Sequence, residues 1–178
     1  MTAVIRARYS HLAISVADIE RSRVFYVGAL GFAAAQPYEA GGRRVATLMD
    51  CDPAGFTGLF LRCGDVLVEL LEHHAGRTAD PMARTADEHG LAHISFIVDD
   101  LDRAVAAVEA HGGALRTRFE HVFGPGGTGS VIVFCTDPDG NRIELIQHAD
   151  DAETASHAEY LGLDNLGWPA IGAADSVT

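Results

Sequence analysis

The chain has 178 residues and a net charge of −12, with 48% hydrophobic and 21% charged residues. That apolar share excludes a disordered chain, and the acidity excludes a phosphate-backbone partner such as nucleic acid. No apolar run approaches the roughly 18 residues of a membrane-spanning helix, and Met1 to Arg8 hold no apolar stretch of signal-peptide length, so a cytoplasmic protein without membrane contact is expected.

Residues 9–17 alternate apolar and polar, the period of a half-buried strand. Asp18 is suited to cap a helix. Ile19, Val24, Phe25 and Leu30 give that helix an apolar stripe, and Gly31 ends it. Gly41-Gly42 reads as a turn. Three strands are expected next, over roughly 43–49, 57–63 and 65–72, the last two joined by a tight turn at Cys63-Gly64-Asp65. Residues 74–90, rich in Ala, Thr, Gly and Asp, form a linker.

The same order then starts again. A strand over 91–98 leads to Asp100, and Leu101, Ala104, Val105 and Val108 stripe a helix that Gly112-Gly113 ends. Strands follow over roughly 114–122, 128–136 and 141–147, and Asp137-Pro138-Asp139-Gly140 has strong turn chemistry. The glycine-rich stretch Phe123 to Gly129 lacks the Lys-Ser/Thr of a phosphate loop and reads as a flexible hairpin near the mouth of a site. Residues 149–178 form a tail, acidic at Asp150, Asp151 and Glu153, in which Tyr160, Leu161, Leu163, Leu166 and Trp168 imply partial docking.

The two halves are copies of one unit. Tyr9 to Ile19 resembles Leu91 to Leu101, which aligns His11 with His93. Val68-Glu69-Leu70-Leu71-Glu72-His73 resembles Ile143-Glu144-Leu145-Ile146-Gln147-His148, which aligns Glu69 with Glu144. The first copy carries more residues between its paired motifs, an insertion that belongs in a loop. The expected fold is α+β: two tandem βαβββ modules, 9–73 and 91–148, forming an open β-sheet cleft.

Side-chain direction picks out the chemistry. Along the first strand of each module, Leu12, Ile14 and Val16, or Ile94, Phe96 and Val98, face the helix. His11 and His93 face the other way. Glu69 and Glu144 sit amid apolar residues of their strands, where a carboxylate is costly unless it is paired or binds metal. Two histidines and two glutamates at matched positions are a donor set for one divalent ion, whether Zn, Ni, Co, Mn or Fe, with room left for water or substrate. His73 and His148 are also matched, but strand rise carries them too far along for the same ion, so they belong to a rim or to solvent. His121, near a strand end, is a candidate acid–base group. His74, His89, His111 and His157 read as surface residues. Cys51, Cys63 and Cys135 fit no zinc or disulfide spacing and read as reduced thiols.

With those residues in place the chain resembles the vicinal oxygen chelate superfamily, which includes glyoxalase I, methylmalonyl-CoA epimerase, extradiol dioxygenases and fosfomycin- and bleomycin-resistance proteins. Asp137-Pro138-Asp139-Gly140-Asn141-Arg142-Ile143-Glu144-Leu145-Ile146 looks like its most recognisable stretch. Asp18 to Tyr26, followed by Leu30-Gly31-Phe32, is similar to its first helix. The resemblance implies metal ligation by His11, Glu69, His93 and Glu144. It points to glyoxalase I-like lyases and epimerases, which act through an enolate-type intermediate on small substrates with two neighbouring oxygens, such as a 2-hydroxyketone or a 2-carboxy thioester. Glu144 is the expected proton-transfer base, with Glu69 as the second candidate. Alternatives are an Fe(II)-dependent dioxygenase of aromatic or natural-product metabolism and a ligand-sequestering resistance protein. Relatives commonly dimerise, sometimes by exchanging modules, so a homodimer is expected.

Overall fold

The computed structural model describes residues 7–76, 85, 87–121 and 130–148, with side chains described except at 119–121 and 130. Two mixed sheets stand beside a shared core of helices. The first contains β1 (Leu12–Ser15), β5 (Val66–His73), β4 (Phe56–Cys63) and β2 (Ala33–Ala34) in that spatial order, with β3 (Tyr38–Ala40) also pairing with β4. The second contains β6 (Ile94–Ile97), β9 (Arg142–His148), β8 (Ser130–Thr136) and β7 (Ala114–His121). Each module's first strand is an edge strand running parallel to its last, β1 on β5 and β6 on β9.

The helices start and stop for local reasons. The Asp18 carboxylate accepts from Arg21 N at 2.9 Å and caps α1 (Ile19–Leu30), and Asp100 does the same for Arg103 N and α3 (Leu101–Ala110). A side chain from the last strand of each module adds a second cap. Glu72 Oε2 accepts from Ile19 N at 2.8 Å, and its repeat equivalent Gln147 accepts through Oε1 from Leu101 N at 2.8 Å. Gly31, at φ 71, ends α1 in the left-handed conformation that costs glycine least.

The expected strand over 43–49 is instead a helix, α2 (Arg43–Met49). Arg, Ala, Leu and Met are strong helix formers, and no α2 residue is buried, so no sheet contact overrides that preference. Leu48 stays 82% exposed. The strands in this stretch are the short β2 and β3, which replace the single β7 of the second module. The extra residues of the first copy thus lie around α2.

The modules share one core. Phe25 and Tyr26 of α1 pack in the same cluster as Leu59, Leu61, Val68 and Leu70 from the first sheet and Val108, Val133, Ile143 and Leu145 from the second module. The α1–α3 contact is close. A Cβ on Gly28 would lie 2.2 Å from His111 Nε2, and one on Gly113 would lie 2.7 Å from Phe25. His111, expected at the surface, is half-buried here and bonds Ala107 O through Nδ1 at 2.7 Å. The expectation fails because α3 turns its last residues toward the other module.

The turn Asp137–Asn141 completes the junction. Asp139 pairs with Arg21 at 2.5 Å and accepts from Ser22 Oγ at 3.1 Å. The Tyr26 hydroxyl donates to Asp137 Oδ2 at 3.0 Å. Burial pushes the Asp137 carboxyl above its ordinary range, partly opposed by hydrogen bonds from Asn141 and Tyr26. Burial likewise lifts the Tyr26 phenol well above its usual value.

Candidate metal centre

Since the helices pack on one face of each sheet, the other face is left for His and Glu. On β1 and just before it, Ile14 is buried while His11, Ala13 and Ser15 are exposed. On β5, Val68 and Leu70 go into the core, and Glu69 turns the opposite way, aligned with Ala13 of β1 and Phe60 of β4. Glu69 is nonetheless only 9% exposed, because aromatic rings surround it. His11 Nε2 stands 3.1 Å from Glu69 Oε2, while Ser10 Oγ lies 2.9 Å from His11 Nδ1. The Phe60 ring meets His11 edge-on at 5.5 Å.

The second module repeats the arrangement. Glu144 lies opposite Ser95 of β6 and Phe134 of β8. His93 Nε2 stands 3.5 Å from Glu144 Oε2, and Phe134 meets His93 edge-on at 5.4 Å. Two ligands bonded to one ion at about 2.0–2.2 Å lie roughly 3–3.5 Å apart at tetrahedral or octahedral angles. Both His–Glu pairs therefore have the spacing of neighbouring ligands, and their donor atoms suit Zn, Ni, Co, Mn or Fe.

The structure brings His11 to Glu69 and His93 to Glu144. Among the described residues it does not gather three or more His, Cys, Asp or Glu into one group that could hold an ion. Each chain carries two separate His–Glu pairs.

The modules differ in what holds the carboxylate. The Tyr38 hydroxyl on β3 donates to Glu69 Oε1. Its ring stacks on Phe60 at 5.8 Å and meets Phe56 edge-on at 6.2 Å. Burial, the hydrogen bond and the negative charge of Glu69 push its phenol up to about 12. Sequence reading missed Tyr38. The available signal was a β-favouring aromatic between Pro37 and Gly41.

Of the other histidines, His73 is half-buried, 5.5 Å from the Phe56 ring, and lines a groove with Cys51, Asp52 and the 137–141 turn. His148 is half-buried. His74 is exposed and pairs with Glu39 at 3.3 Å. His89 is exposed. The side chain of His121, together with His157, the 123–129 stretch and the tail, lies outside the described residues. Cys51 and Cys63 are half-buried and Cys135 is buried, all as free thiols. No described helix is long and apolar enough to cross a membrane.

The family description Glyoxalase/Bleomycin resistance protein/Dioxygenase superfamily matches residues 8–145. A putative lactoylglutathione lyase of Brassica oleracea var. gemmifera is 28% identical over 155 residues, covering 83% of this chain and 47% of the relative. A lactoylglutathione lyase of Arabidopsis thaliana is 28% identical over 153 residues, covering 82% and 46%. The chain thus spans about half the length of the curated relatives it matches. Among solved structures, a glyoxalase family protein from Bacillus cereus superposes with a TM-score of 0.70 at 17% identity, over 84% of this chain and 99% of that one, a likeness of fold alone. Glyoxalase I from Zea mays superposes with a TM-score of 0.56 at 27% identity, over 79% of this chain and 44% of that one. From its repeated sheet and its matched motifs, the chain belongs to the Glyoxalase/Bleomycin resistance protein/Dioxygenase superfamily.

Proposed function

We propose that this protein is a metal-dependent lyase or isomerase of the glyoxalase type, with His11, Glu69, His93 and Glu144 holding one divalent ion. The observation that carries the reading is the pair of repeat-related His–Glu contacts, 3.1 and 3.5 Å, each glutamate being flanked by apolar residues of its strand. A buried carboxylate without a counter-charge is costly, and an ion offsets that cost. Because one chain offers its ligands as two separate pairs, a homodimer completes the site: the first pair of one copy meets the second pair of the other. The exposed Ile97, four residues along from His93 on the same sheet face, suits such a contact.

The substrate class is a small molecule with two neighbouring oxygens. The bound ion would supply Lewis-acid polarisation of those oxygens. Glu144 takes the proton from the carbon next to the carbonyl and returns it to the neighbouring one. Glu69 is less suited to that task, because both its oxygens are engaged, one by His11 and one by Tyr38. Among the described residues Glu144 makes its charged contact with His93 alone. Its oxygens are freer to reach a substrate.

Complementation tests the shared site. The first variant combines His11→Ala with Glu69→Gln, and the second combines His93→Ala with Glu144→Gln. Each alone should take up no Co²⁺ at micromolar concentration. In mixed dimers, one of the two sites then has all four ligands, so mixing should restore uptake. If mixing restores nothing while the parent binds cobalt, the two-chain site is wrong. If the parent itself takes up none of these metals, the metal-dependent reading fails.

A further inference from the structure

Resting on that reading, we infer that Tyr38 is a positioning residue that fixes Glu69 as the immobile ligand, so the two glutamates of the site are not equivalent. Glu69 has two oxygens. Oε2 faces His11 Nε2 at 3.1 Å, the side where an ion shared with the histidine would lie. Oε1 receives the Tyr38 hydroxyl. A carboxylate held this way offers one oxygen to an ion and cannot swing to offer both. Hydrogen bonds to ligand atoms set ligand orientation in this manner.

The seat for Tyr38 is built into β4. Gly58 pairs with Tyr38 in the ladder, and a Cβ there would lie 2.2 to 2.5 Å from Tyr38 ring and hydroxyl atoms. Only glycine leaves the ring room to lie flat against Phe60. In the second module the position two residues before Phe134 is Ile132, which pairs with Ile146 as Gly58 pairs with Leu71. A branched side chain thus stands where the first module keeps a vacancy. The contrast in side-chain bulk between Gly58 and Ile132 accompanies the contrast between Glu69, clamped by Tyr38, and Glu144, which has no such clamp among the described residues.

The test uses the full-length protein and Co²⁺ as the probe, with affinity measured by chelator competition and ligand geometry by the visible absorption bands of bound cobalt. Tyr38→Phe keeps the ring stack, so thermal stability should stay close to the parent's. Cobalt affinity should fall roughly 10–100-fold, the usual cost of losing such a partner, with altered bands. Gly58→Ala, which displaces the ring, should reproduce both changes, and adding it to Tyr38→Phe should bring little further loss of affinity. Parent-like affinity and bands in Tyr38→Phe would overturn the clamp while leaving the metal site standing. Absence of cobalt binding in the parent overturns the metal reading and the clamp together.

Discussion

The two modules run the same plan with different liberties. Each sets a histidine from just before its edge strand against a glutamate from the neighbouring parallel strand, with a phenylalanine edge-on to the histidine. The second module spends one continuous strand, β7, where the first spends β2, β3 and α2. Tyr38 rides on the broken version and reaches Glu69. Repetition supplies matched His–Glu pairs, and the insertion brings Tyr38 to Glu69, while Glu144 has no such bond among the described residues. A symmetric pair of glutamates would leave the choice of proton carrier open, whereas this asymmetry is what the proposed assignment of Glu144 rests on.

The largest expected effect breaks the comparison at its chemistry. Glu144→Gln should lower turnover by about 10²–10⁴-fold, the range for loss of a general base, while the fold persists. Glu69→Gln should act mainly through weaker metal binding and recover much of its activity at high metal concentration. Steady-state rates across a metal titration separate the two. Equal recovery of both variants would erase the assigned difference.

A second comparison sharpens the view that the modules share one core. Leu70 and Leu145 are repeat equivalents, both fully buried in the same cluster. Leu70→Ala and Leu145→Ala should each cost about 2–5 kcal/mol through lost burial and the cavity left behind. Since α1 packs on α3 across the modules, either variant should unfold in one transition by chemical denaturation. Two separated transitions, with one half persisting after the other melts, would show that the modules are energetically independent.

What the sequence made legible follows from which interactions are local. The Asp18 and Asp100 caps, the Gly31 stop and the β7–β9 strands depend on residues close in the chain, and they read correctly. The His and Glu positions read through the repeat, because strand alternation fixes which way each side chain points. The stretch from 33 to 55 was harder. Val45 and Leu48 stand three residues apart, a helical rather than a strand spacing, and with no burial to enforce a sheet the intrinsic helix preference of Arg, Ala, Leu and Met decided. The Tyr38–Glu69 bond joins residues on nonadjacent strands across β4, so no local pattern announces it. The same holds for His111 against Gly28, which depends on how two helices meet.

The smallest expected effect lies in the paired caps. Glu72 and Gln147 hold equivalent places and accept from the first backbone N–H of α1 and α3 at the same 2.8 Å, but only Glu72 is charged. A carboxylate at a helix N-terminus also meets the positive end of the helix dipole, worth about 0.3–1 kcal/mol at low ionic strength. Glu72→Gln converts the first cap into the second. It keeps the hydrogen bond and removes the charge, so stability should fall by about that amount. Added salt should shrink the difference between variant and parent, since screening weakens the charge–dipole part and leaves the hydrogen bond. A deficit that denaturation curves find unchanged from low to high salt would mean that the loss comes from a broken hydrogen bond, and that the charge difference between the two caps carries no weight.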